Sequence, residues 1–340
     1  MLRQIVFLIV LAAAPAIWAE EASPISFGAL EGWHSQDFAA ALSAYQTSCR
    51  KGIKPRGQMQ QYFKQEAWRA SCEVAQRIAA KHARAFFEQH FTPYRVSGAA
   101  PEGKVTGYYI PLLKGSLRRH GTYQWPVYAV PKDFKTPYLT RAQIEQGALE
   151  GRGLELLWLD DKIMRFFLHV QGSGHVLLDD GRRTTLQFAA KNERPYTAVG
   201  KILIEQGHLT PQNVSLQSIR EYLYRADVQE QDALLQQNES FVFFNLKQSD
   251  EMPRGAQNVP LTPEHSLAVD PAFWPYGIAM YLDVKAAEPF ARLAITQDTG
   301  SAIRGQLRAD WFAGLGDLAE AKAGHLAAPA DWFMLVPKAP

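Results

Sequence analysis

A chain of 340 residues, 47% of them hydrophobic, can bury a substantial core and is long enough for two domains. Its 36 basic and 34 acidic side chains leave a formal charge of +2, and no block of Lys and Arg interleaves with aromatics, so the composition excludes a nucleic-acid-binding surface. Neither G-x-x-x-x-G-K-[ST] nor G-x-G-x-x-G occurs, which leaves nucleotide binding without support.

The first predicted element is a leader. Arg3 precedes an apolar run from Ile5 to Ala14, small residues at Ala14-Pro15-Ala16 and Ile17-Trp18-Ala19 offer two cleavage points, and Glu20-Glu21 begin polar sequence. The run is shorter than the ~20 residues of a spanning helix. Residues 1–19 therefore read as a signal peptide that exports the protein to the periplasm. No cysteine lies near either cleavage point, which argues against an outer-membrane lipid anchor.

In an exported chain the only two cysteines, Cys49 and Cys72, are most simply a disulfide. Phe38, Leu42, Tyr45 and Cys49 share one helical face, and Trp68, Cys72, Ala75, Ala79, His82 and Phe86 share a face of a second helix. Each sulfur then points towards the other helix, and no histidine pair stands at zinc-site spacing beside them.

From Arg95 onward the chain turns to short β-rich runs broken by Gly, Pro and Asp: VTGYYIPLL from 105, TYQWPVYAVP from 122, RFFLHVQGSGHVLLDDGRRTTLQFAA from 165 and SFVFFNL from 240. Asp180-Gly181 marks a hairpin. Helices are expected at 197–206 and 216–224, the second with Ser215 as N-cap. No repeat of 20 to 50 residues occurs, which excludes a solenoid or propeller. The 8 Trp and 13 Tyr offer flat faces suited to sugar rings as well as core packing.

Near the C-terminus, QDTGSAIRGQLRADWFAGLG sets Asp298 and Asp310 among glycines at 300, 305, 314 and 316 inside a strand-like region. Loops over the mouth of a small closed β-structure would hold such carboxyls rigidly enough for acid/base work. Other chemistries fit less well. QGSGH, Gln171 to His175, lacks the first glycine of a nucleophile elbow. The nine histidines contain no H-E-x-x-H, and His169 and His175 are read as hairpin residues without an acidic partner at ligand spacing. No metal and no cofactor are expected.

This stretch resembles the 3D module, named for its aspartates, of the membrane-bound lytic transglycosylase A (MltA) family, enzymes that cleave the glycan strands of bacterial peptidoglycan. VTGYYIPLLKGS (105–116), FFLHVQGSGHVLLDDG (166–181), KNERPYTAVGKILIEQG (191–207), ESFVFFN (239–245) and VPLTPEHSLAVDP (259–271) are similar to that family's blocks in the same order. The resemblance covers the chain from about Trp33 to the end. It implies a mainly β fold with α: a double-psi β-barrel built from 20–112 and 239–340, N-terminal helices included, and an inserted second β-domain at 113–238 across a glycan groove.

The same resemblance implies residue roles. Asp310, in RADWF, matches the catalytic acid/base; Asp298, in QDTG, matches a supporting aspartate; Asp317 has weaker support. Thr106, Tyr108 and Tyr109 would line the groove from the barrel side, and Gln171, Gly172 and Ser173 from the insert. Ile110 stands where relatives often carry a polar residue. On composition alone, Asp298 could instead be a turn residue bonding its own backbone, and the two tyrosines one inward and one outward residue of an ordinary strand. The implied reaction breaks the β-1,4 bond between N-acetylmuramic acid and N-acetylglucosamine. One carboxyl protonates the leaving oxygen, then takes a proton from the muramoyl C6 hydroxyl as the 1,6-anhydro ring closes. Peptidoglycan strands are the expected partner of a monomeric protein. The competing readings are a two-aspartate hydrolase and a non-catalytic wall-binding protein.

Overall fold

A computed structural model describes residues 22–54, 56–97, 103–248 and 251–340; the leader expected at 1–19 lies outside them. Strand β1 (Ala22–Pro24) leads to helix α1 (Phe38–Lys51), capped by Asp37, whose side chain accepts from Ala40 N at 3.0 Å. Helix α2 (Gln65–Ala75) follows, and the Cys49–Cys72 disulfide joins the two with Cα atoms 5.4 Å apart. The second helix is shorter than its spacing predicts. It stops at Ala75, Ala79 is extended, and Phe86 belongs to a separate helix α3 (Ala83–His90). Ala79 and His82, expected on the apolar face, are exposed. Reciprocal amide bonds hold the break: Gln46 Nε2 donates to the Ala75 carbonyl at 2.8 Å, and Gln76 Nε2 to the Gln46 carbonyl at 2.9 Å.

Strands β2 (Phe91–Val96) and β3 (Gly103–Ile110) start the first sheet. At Pro111, which has no N–H for a ladder, the chain crosses to a second sheet. That sheet takes β4 (Leu112–Ser116), β5 (Trp125–Tyr128), the turn α4 (Arg141–Gln143), β6 (Glu155–Leu159), helix α5 (Lys162–Gln171), β7 (Ser173–Leu178) and β8 (Arg183–Lys191). Helices α6 (Val199–Glu205), α7 (Leu216–Arg225) and α8 (Val228–Gln236) precede β9 (Val242–Lys247). The chain then returns to the first sheet with β10 (Ser266–Val269), β11 (Ala279–Val284), β12 (Phe290–Asp298), β13 (Arg308–Leu315), helix α9 (Gly316–Gly324) and β14 (Ala327–Pro337).

Two expectations are corrected here. The run from Arg165 to Gln171 is the body of α5, not a strand, so His169 is a helical residue. Asp161 caps that helix by accepting from Ile163 N and Met164 N, and Gly172 ends it at φ 78. Ile163, Phe166 and Phe167, at i, i+3 and i+4 of a helical face, pack against α6 to α8, and Leu168 packs against the sheet. The second correction concerns the return point. Val242–Lys247 pairs antiparallel with β8, so the residues from 239 to Lys247 stay with the second sheet. The hairpin at Asp180-Gly181 and the Ser215 cap of α7, which accepts from Ser218 N, are present.

The second sheet runs β5-β6-β4-β7-β8-β9. The first runs β1-β2-β14-β11-β12-β10-β13-β3, and β14 also pairs with β3, so six strands close a circuit of hydrogen bonds. Within it, β10–β12 and β13–β3 are parallel. Trp33, Trp274 and Trp332 are at most 2% exposed, so much of the aromatic richness is core, each such ring contributing roughly 2–3 kcal/mol by burial.

Candidate active site

Register puts the two aspartates in one line. Thr106 on β3 pairs with Asp310 on β13, Asp310 with Ala268 on β10, and Ala268 with Asp298 on β12. Residues opposite one another in register share a face. The carboxyl groups are therefore two strands apart, with only a methyl group between them, on a patch that is part-exposed. At ~4.8 Å per strand their Cα atoms are about 10 Å apart.

Asp310 is held through one oxygen. Its Oδ1 accepts from Arg308 Nη1 at 2.7 Å and from the Thr106 hydroxyl, while Arg308 Nη2 donates to Thr106 Oγ1 at 2.8 Å. Oδ2 takes no hydrogen bond among the described residues. The side chain is 22% exposed. Burial pushes its carboxyl above the ordinary carboxylate range, while the Arg308 charge, its hydrogen bond and the Lys104 charge pull the other way.

Asp298 is held through both oxygens. Oδ1 accepts from Ala256 N and Thr299 N, each at 2.9 Å, and Oδ2 accepts from the Tyr108 hydroxyl at 3.1 Å. Burial nevertheless pushes its carboxyl up to about 6 against those three bonds, and the Asp310 charge adds to the rise. The backbone reaches it because of Gly255, where a Cβ would fall 2.5 Å from the Gln297 carbonyl oxygen. Helix α1 supports β12 from behind: Gln297 Nε2 donates to the Ala44 carbonyl at 3.0 Å and to Ser48 Oγ at 2.8 Å.

The other expected residues divide. Thr106 and Tyr108 touch the two carboxyls. Tyr109 does not: its ring is 1% exposed and its hydroxyl donates to Glu320 Oε2 at 2.9 Å, the strand alternation having turned it away. Gln171, at the end of α5, accepts from Tyr109 N at 3.1 Å, so it braces β3 from the second sheet. Gly172 makes the left-handed turn, and Ser173 opens β7 opposite Gln187. Asp317 lies exposed in the first turn of α9, and Ile110 is buried against Leu261 and Phe312. Arg308 and Tyr196 were missed. Arg308 sits two residues before Asp310 on the same strand, a period-2 signal that could have found it. Tyr196 comes from the loop after β8, and its phenol is pushed up by burial first and the Asp310 charge second. Among the described residues no group of three or more His, Cys, Asp or Glu could hold a metal ion, and no helix is long and apolar enough to cross a membrane.

Two neighbouring carboxyls with raised affinity for protons, each oriented by fixed donors, thus lie side by side on a two-sheet α/β fold. Residues 104–245 match the MltA specific insert domain and 265–336 the 3D domain. Membrane-bound lytic murein transglycosylase A of Vibrio cholerae is 35% identical over 243 residues, 68% of this chain and 65% of that protein. The Escherichia coli K12 protein of that name is 34% identical over 252 residues, 71% and 66% of the two chains. The aligned part thus spans just under two thirds of these relatives. The crystal structure of membrane-bound lytic murein transglycosylase from Agrobacterium tumefaciens superposes with a TM-score of 0.83 at 30% identity, covering 93% of this chain and 98% of that one. E. coli MltA with bound chitohexaose gives 0.73 at 27%, covering 94% and 92%. The chain belongs to the MltA family.

Proposed function

We propose that the protein is a lytic transglycosylase of peptidoglycan in which Asp310 alone moves the protons. The observation that carries this reading is the unequal use of the two carboxyls: Asp298 has both oxygens occupied, whereas Asp310 keeps Oδ2 open. A protonated Oδ2 gives its proton to the glycosidic oxygen between N-acetylmuramic acid and N-acetylglucosamine as positive charge builds on the anomeric carbon. The carboxylate left behind takes a proton from the C6 hydroxyl of the same muramoyl residue. That oxygen closes on the anomeric carbon to form the 1,6-anhydro sugar. The hydroxyl is tethered to the reacting ring, which favours closure over attack by water. Asp298, through Tyr108, shapes the charge beside Asp310.

We read the six-strand circuit with its two parallel pairs as a double-psi β-barrel, and the segment from Leu112 to Lys247 as the inserted domain. Thr106 and Tyr108 would meet glycan from one side, Gln171 to Ser173 and Tyr196 from the other. A relative's structure with bound chitohexaose supports a glycan as the ligand. The leader-like sequence at 1–19 and the wall substrate support a periplasmic location, and the relatives' names specify a membrane-bound one. Asp310→Asn nearly preserves shape but has no acidic proton. Cleavage of isolated sacculi should fall by at least ~100-fold with an unchanged melting temperature. Near-normal rates in a well-folded variant would transfer the role to Asp298.

A further inference from the structure

We infer that Arg308 is a positioning residue for the proton transfer: its fork, shared between Asp310 and Thr106, reserves Oδ2 for the substrate and supplies the counter-ion of the carboxylate formed when the proton leaves. The inference rests on the acid/base reading of Asp310. Both terminal nitrogens of the guanidinium are used. Nη1 donates to Asp310 Oδ1 at 2.7 Å, Nη2 to Thr106 Oγ1 at 2.8 Å, and the Thr106 hydroxyl completes the triangle on the same Oδ1. Nη1 also donates to the Ala309 carbonyl, which ties the fork to its own strand. The parallel pairing of β13 with β3 places Thr106 opposite Asp310, and the period of two places Arg308 on the same side. With Oδ1 committed to two donors, rotation of the carboxyl would break both bonds, so the free lone pairs stay on Oδ2.

A carboxyl that must give a proton and later take one needs an environment suited to both forms. Burial favours the neutral form, and Arg308, 19% exposed, favours the charged one. The other groups facing Asp310 are Lys104 and Tyr108 on β3, Asp298 on β12 and Tyr196 from the second sheet. Lys104 favours the carboxylate and Asp298 opposes it. None of these four makes a hydrogen bond to the Asp310 carboxyl, and the neighbour on β10 is the uncharged Ala268.

The test is the pH dependence of muropeptide release from sacculi by Arg308→Gln and Arg308→Lys, with Asp310→Asn alongside. Activity requires protonated Asp310, so its loss at high pH reports that group. Removing the positive charge raises the affinity of Asp310 for its proton. The alkaline limb should move up by about 1 pH unit in Arg308→Gln, with kcat lowered roughly 10- to 100-fold, and stay near wild type in Arg308→Lys. If Arg308→Gln does not fold, Thr106→Val removes one of the two donors to Oδ1 and should move the limb the same way by less. An alkaline limb unmoved in the folded variants overturns the inference while leaving the acid in place. Full activity of Asp310→Asn overturns the reading beneath it.

Discussion

Asp298 carries a stability consequence that its geometry fixes in sign. Its carboxyl is raised from 3.8 to about 6 in the folded protein, so the fold favours the protonated form. That contribution is fully present below pH ~4 and is lost as pH rises through about 6. At ~1.4 kcal/mol per unit the loss is on the order of 2–3 kcal/mol. An amide is neutral at every pH, can offer its oxygen to Ala256 N and Thr299 N, and can donate to the Tyr108 hydroxyl. Melting curves of Asp298→Asn against wild type should coincide near pH 4, and the variant should gain between pH 4 and 7. A variant less stable than wild type at pH 7 would show that the hydrogen bonds outweigh the charge. Charge among glycines in a strand-like region drew attention to the two aspartates, but only the family resemblance separated Asp298 from an ordinary turn residue. Tyr109 was assigned to the groove and turned away, since adjacent residues of one strand face opposite sides and sequence alone does not say which faces the site.

Strand β3, which carries Thr106 and Tyr108, has α9 lying directly against its backbone at Gly107. A Cβ at Gly107 would sit 2.6 Å from the Ala323 Cα and 3.0 Å from its carbonyl oxygen, and this contact is with backbone rather than a flexible tip. Gly107→Ala should push α9 away, cost about 1–3 kcal/mol, and displace Thr106 and Tyr108 on either side. Denaturant melts and sacculus digestion should fall together; unchanged stability would mean that α9 shifts freely. At the other end of the chain, the disulfide links α1, which supports β12, to α2. Its cysteines are 23 residues apart, so the closed loop contributes about 3 kcal/mol in the chain-entropy model. Thiol titration of exported protein under denaturing, non-reducing conditions should find none, and two reactive thiols would contradict the pairing. This pair was legible because two cysteines in an exported chain most simply pair, and of the face expected on the second helix Trp68, Cys72 and Ala75 lie on α2. Helix α5 was not: its FFLHV run leads straight into the apolar residues of β7 and was taken with them as one β-rich stretch, although Ile163, Phe166, Phe167 and Val170 keep helical spacing.

The whole molecule is two sheets joined where the chain crosses at Pro111 and returns after Lys247. Between them Glu320 on α9 accepts from Tyr109 and pairs with Arg220 of α7 at 2.6 Å, and Gln171 bonds the backbone of β3. The second sheet is thereby braced against the strand that carries Thr106 and Tyr108. The insertion at 113–238 was an implication of the family resemblance rather than of the strand and helix pattern. Its far edge was misplaced because an apolar run such as SFVFFNL does not reveal which sheet will pair with it. In the proposed reaction one carboxyl serves as acid and then as base while the substrate's own hydroxyl replaces water. Mass spectrometry of muropeptides released from sacculi in oxygen-labelled water, with chelator present, tests it most directly. Ring closure by the C6 hydroxyl gives 1,6-anhydromuramoyl ends without label, whereas reducing muramoyl ends carrying one water-derived oxygen would rule that closure out and make the protein a hydrolase.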